Sequence, residues 1–69
     1  MSPITVLVNG EAQQIPADQK LSELVGAHTA SHSGVAVAVD GEVVPRTYWP
    51  EHALVEGARI EILTAVQGG

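Results

Sequence analysis

The residues that could do chemistry stand at the end of the chain, Gly68 and Gly69. Neither carries a side chain, so the candidate reactive group is the α-carboxylate of Gly69. A Gly-Gly end suits entry into a narrow slot where a Cβ would collide, and glycine gains little from folding because it has the most backbone entropy to lose. Ala65, Val66, Gln67, Gly68 and Gly69 together span at most about 16–18 Å when extended. That length threads a tail into an active site while the globular body stays outside. The competing reading is a frayed terminus, and on the dipeptide alone that reading is favoured, because short motifs are weak. Val66 and Leu63, near the base of the tail, are candidate docking contacts, with a core position as the alternative for Leu63.

Other residue types offer less. There is no cysteine, so the chain has no disulfide or thiolate metal site and cannot itself hold a thioester or persulfide. His28 and His32 have the i, i+4 spacing of two metal ligands. His32 falls in a loop by composition, no third ligand is evident, and metal sites need three or four. Both are read as surface histidines, and His52 has no nameable partner. Glu42, Glu51, Glu56 and Glu61 read as solvated acids. Gly10, Gly26, Gly34, Gly41 and Gly57 are isolated, so no phosphate-cradling loop is present. No Ser/His/Asp grouping appears. Trp49 reads as a core plug whose indole N–H needs an acceptor when buried. The expectation is a chain with no catalytic residues and no bound metal or cofactor.

Sixty-nine residues make one domain, of a size that buries only about 60% of its unfolded surface. The formal charge of −5, from eight acids against three basic residues, argues against nucleic acid, whose phosphates select clusters of Lys and Arg. It also argues against anionic membranes and fits a partner with a basic groove. No apolar run approaches the roughly 20 residues of a membrane span. The N-terminus lacks a signal-peptide pattern. A cytoplasmic protein is expected. Tyr48 and Trp49 are the only aromatic residues, so the core must be aliphatic and mostly β-branched or small, which suits strands.

The elements that would position the tail follow from period and turn chemistry. Residues 4–9 alternate, with Ile4, Val6 and Val8 on one face. Asn9-Gly10 is the strongest short hairpin signal, because a type I′ turn needs φ > 0 at both central residues. Residues 11–15 return as a polar edge strand that Pro16 stops. Asp18 is the expected helix N-cap, and Leu21, Leu24, Val25 and His28 share a helical face. Residues 29–34 read as a loop. Val35–Val39 is a strand and Asp40-Gly41 a second type I′ signal, with Glu42–Pro45 returning. Residues 47–54 give mixed signals and one short helical turn. Glu56-Gly57 is a turn. Arg59–Thr64 is the last strand, with Ile60 and Ile62 on one face and Glu61 and Leu63 on the other. A hairpin cannot bury its own apolar face, and one helix across a mixed sheet would cover it. The expected class is α+β: a ubiquitin-like β-grasp, four to five strands covered by one helix. The division is a domain over 1–64 and a flexible tail over 65–69.

Several stretches carry a resemblance: Val35–Arg46 (VAVAVDGEVVPR), then Trp49 and Leu54, then Gly57–Gly69. Together they resemble the ThiS family of thiamine-biosynthesis sulfur carriers. Val8-Asn9-Gly10-Glu11 is similar to that family's opening strand and turn. The likeness is specific in the C-terminal half and weak over 12–34. Asp40 stands where the family often has Asn, and both tolerate φ > 0. Ala58 stands where an acid is common, at the possible loss of a turn hydrogen bond.

The resemblance implies a mechanism. The Gly69 carboxylate, ionised and inert at neutral pH with a pKa of about 3.5, attacks ATP in a ThiF-type adenylating enzyme. The resulting acyl-adenylate carries a good leaving group. A sulfur donor displaces AMP to leave a thiocarboxylate, and a ThiG-type thiazole synthase uses that sulfur to build the thiazole of thiamine. ATP and Mg²⁺ belong to the activating partner. The alternatives are the small subunit of molybdopterin synthase, with the same terminal chemistry, a ubiquitin-like protein modifier, and a plain β-grasp interaction module.

Overall fold

The computed structural model describes residues 2–29 and 34–64. In chain order the elements are β1 (Ile4–Val8), β2 (Glu11–Ile15), α1 (Leu21–His28), β3 (Val35–Val39), β4 (Glu42–Val43), a 3-10 helix (Arg46–Glu51) and β5 (Arg59–Thr64). The strands form one five-stranded sheet in the order β2-β1-β5-β3-β4. The last strand of the sequence therefore lies in the middle, parallel to β1 and antiparallel to β3.

Both hairpins close as their dipeptides require. Asn9 and Gly10 have φ of 52° and 85°, and Asp40 and Gly41 have 51° and 86°, the signs of a type I′ turn. The register that follows places Ile4 opposite Ile15 and Val8 opposite Glu11. The period of two then sends Val6, Val8, Val37, Ile60 and Ile62 to one face, where they are buried. Leu21, Leu24 and Val25 of α1 pack onto that face. Each such side chain contributes about 1.5–3 kcal/mol by leaving water. No polar or charged side chain is buried among the described residues.

The helix starts later than expected. Its N-cap is Lys20, not Asp18. The N–H of Gln19 donates to the Pro16 carbonyl at 3.0 Å, so Asp18 lies in a turn. Lys20 is still extended, with ψ of 163°, and bridges Ala53. The Glu23 carboxylate accepts the Lys20 N–H at 2.9 Å, half of a capping box. At the other end His28 is exposed. The apolar face stops at Val25, one turn short of the expected stripe.

The mixed signals over 47–54 resolve into the 3-10 helix, which begins one residue earlier, directly after Pro45. Trp49 is its buried residue, and the indole Nε1–H donates to the Val44 carbonyl at 2.8 Å. The plug and its acceptor are both present. Among the described residues no helix is long and apolar enough to cross a membrane.

Candidate functional site

The expected site residues Gly69, Gly68, Gln67, Val66 and Ala65 lie outside the described residues, as does His32. The structure gives the element from which they emerge. β5 is paired with β3 from Ile60, opposite Val39, to Thr64, opposite Val35. On its other side β1 reaches only the first two residues, pairing Leu7 with Arg59 and Val8 with Ile60.

Two turn side chains complete the pairing of β5. Where β1 ends, the Asn9 N–H donates to the Ile60 carbonyl at 2.8 Å. Its carboxamide then takes over: Nδ2 donates to the Ile62 carbonyl at 3.2 Å, and Oδ1 accepts the Ile62 N–H at 2.8 Å. One side chain thus offers β5 the donor and acceptor that a further strand residue would. On the β3 side the Asp40 N–H donates to the Arg59 carbonyl at 2.8 Å, and Asp40 Oδ1 accepts the Arg59 N–H at 3.0 Å. A third side chain acts similarly before the strand begins. Glu56 Oε1 accepts the Thr5 N–H at 3.0 Å, and the Gly57 N–H donates to the Thr5 carbonyl at 2.7 Å.

The outer face of the sheet is open. Leu63 is 68% exposed beside its β3 partner Ala36, and Val43 is 75% exposed beside Ala38. The small alanines leave both aliphatic side chains standing above the surface. A core position for Leu63 is excluded, and its place next to the end of β5 fits a docking contact. Glu42, Glu51, Glu56 and Glu61 are all exposed. Ala58 is buried, and its N–H donates to the Val55 carbonyl at 3.1 Å, so the turn keeps a backbone bond without an acid there.

Two hollows in the surface of the described residues offer no nucleophilic centre. One, of ≈ 540 Å³, lies between the two hairpin turns, and its only ionisable groups are Asp40, Arg59 and Glu61. The other, of ≈ 340 Å³, lies between β4 and the 3-10 helix and includes His52, Glu51 and Tyr48. Among the described residues no group of three His, Asp or Glu could hold a metal ion.

Sequence reasoning identified Asn9, Asp40 and Glu56 as turn residues but missed the hold of Asn9 and Asp40 on β5, and read the Glu56 carboxylate as solvated. An Asn or Asp before a turn glycine signals a left-handed backbone. The partner of Asn9 is 53 positions away, which no local pattern reveals.

Comparison with known proteins agrees with this architecture. Residues 6–69 match the ThiS family. The sulfur carrier protein ThiS of Escherichia coli K12 is 31% identical over 64 residues, covering 93% of this chain and 97% of the relative. The crystal structure of the thiamine biosynthesis protein ThiS from Geobacter metallireducens superimposes with a TM-score of 0.79 at 26% identity, covering 96% of this chain and all of that one. A five-stranded mixed sheet with one covering helix, the sequence match over 6–69 and the fold match all agree: the chain belongs to the ThiS family, with its ubiquitin-like β-grasp fold.

Proposed function

We propose that this protein carries sulfur for thiazole formation in thiamine biosynthesis, on the carboxylate of Gly69. The observation that carries the reading is that the ThiS family match covers residues 6–69, Gly68 and Gly69 included. The protein is a co-substrate, not a catalyst. A Gly69 carboxylate oxygen attacks the α-phosphate of ATP in a ThiF-type adenylating enzyme and pyrophosphate leaves. Sulfide (HS⁻) released by a donor then attacks the acyl carbon, AMP leaves, and the thiocarboxylate remains. The thiocarboxylate delivers its sulfur to a ThiG-type thiazole synthase. In this reading Mg²⁺ and the catalytic residues belong to those partners, and the carrier works beside them in the cytoplasm. In this scheme residues 1–64 are the docking body and 65–69 the tail. Gly68 keeps the approach narrow, while Gln67, Val66 and Ala65 line the entry.

The similarity to the thiamine biosynthesis protein of Geobacter metallireducens supports thiamine over the molybdopterin and protein-modifier alternatives. Intact mass after incubation with ATP, the activating enzyme and a sulfur donor tests the reading. One oxygen is replaced by sulfur at the C-terminus, and deletion of Gly69 abolishes the change while circular dichroism stays native. An unchanged mass with an enzyme active on another carrier rules the function out.

A further inference from the structure

We propose that Asn9 is a positioning residue for the terminal carboxylate: its carboxamide replaces a missing strand residue and fixes the direction in which β5 leaves the sheet. The inference rests on the proposed function, because only a delivered tail needs aiming.

The geometry is specific. β1 turns back at Asn9-Gly10, so on that side its backbone pairs with β5 no further than Ile60. The Ile62 N–H and carbonyl would otherwise face solvent there. Asn9 meets both, at 2.8 and 3.2 Å. Its left-handed backbone, with φ of 52°, also forms the turn, so one residue reverses β1 and clasps β5. Beyond the clasp, among the described residues, β5 pairs with β3 alone, at Ala36 with Leu63 and at Val35 with Thr64. A strand end paired along one edge pivots about that edge, whereas one also gripped at Ile62 does not. Residues 65–69 continue from that end, so a pivot there shifts the point from which they start.

Asp40 makes a useful contrast. It grips β5 at Arg59, at the start of the strand, where release leaves the outgoing end paired. The two turns are alike in backbone but differ in which end of β5 they hold.

The substitutions are graded. Asn9→Gly keeps the left-handed turn and removes both side-chain bonds. Asn9→Asp keeps the acceptor for the Ile62 N–H and removes the donor to the Ile62 carbonyl. Trp49→Phe removes the indole bond to Val44 on the far side of the core and serves as a control for general loss of stability. All are assayed where circular dichroism shows them folded. Amide exchange at Ile62 reads the clasp directly, and kcat and KM for adenylation read its consequence.

In Asn9→Gly the Ile62 amide exchanges faster and kcat falls about five- to tenfold, within the range that misplacement of a reacting group produces. KM changes less than kcat, because Leu63 keeps its pairing with Ala36 and the rest of the outer face is untouched. Asn9→Asp is intermediate in kcat, with Ile62 still protected. Trp49→Phe keeps the wild-type kcat. If both Asn9 variants keep the wild-type kcat, or if Trp49→Phe loses as much, the inference is overturned while the carrier function stands. If the wild type is not adenylated by an enzyme active on another carrier, the function itself falls and the inference with it.

Discussion

Asp40 shows how much one turn residue does. It adopts a positive φ, costly for most side chains but tolerated by Asp and Asn, and its Oδ1 accepts the Arg59 N–H. Asn offers the same oxygen and the same backbone tolerance. Asp40→Asn should therefore leave stability within about 0.5 kcal/mol of wild type. Asp40→Ala loses the acceptor and forces a Cβ-bearing residue without compensation into the left-handed region. It should cost about 2–3 kcal/mol, summing the two effects. Urea denaturation of the two variants checks both figures, and equal midpoints would show that the side-chain bond contributes nothing. Gly41 beside it has open space where a Cβ would point. Its requirement is the φ of 86° alone, not crowding.

Among the elements, α1 is the weakest on local grounds. It has eight residues, below the length at which an isolated helix is stable in water. It forms because Leu21, Leu24 and Val25 are buried against the sheet and because the Leu21 N–H reaches the His52 carbonyl at 3.0 Å. Gly26 lies in its exposed part and carries the entropy cost of glycine in a helix. Gly26→Ala should raise stability by about 0.5–1 kcal/mol, seen as a higher denaturation midpoint with unchanged adenylation. In the opposite direction, Glu23→Ala removes the acceptor of the Lys20 N–H and should cost about 0.5–1 kcal/mol. The 3-10 helix is also fixed from outside itself, through Trp49 and its bond to Val44.

At the scale of the whole molecule, the buried face of the sheet stabilises the fold and the open face remains for a partner. Leu63→Ser should leave the denaturation midpoint almost unchanged, because Leu63 is exposed. It should raise KM for the activating enzyme about five- to tenfold if Leu63 is a docking anchor. An unaltered KM would move docking elsewhere on the surface. The charge of −5 adds a second dependence. Attraction to a basic partner is screened by salt, so KM should rise between about 0.05 and 0.5 M salt, and kcat should respond less. Val43, on the same face, gives a parallel test of its extent.

The sequence by itself determined what is local. Asn9-Gly10 and Asp40-Gly41 dictate φ > 0 within two residues. The period of two sorts Ile60 and Ile62 from Glu61 and Leu63. The likeness over 35–69 pointed to the ThiS family, to which the chain belongs. The start of the helix was not local, since Lys20 is held by Ala53, 33 positions further on. The tertiary structure decided which partners lie far along the chain. It set the last strand between β1 and β3, exposed Leu63 by placing small alanines beside it, and turned the Asn9 side chain onto Ile62. Those outcomes depend on strand order, and strand order follows from burying one sheet face under one helix, a condition that no short window of sequence contains.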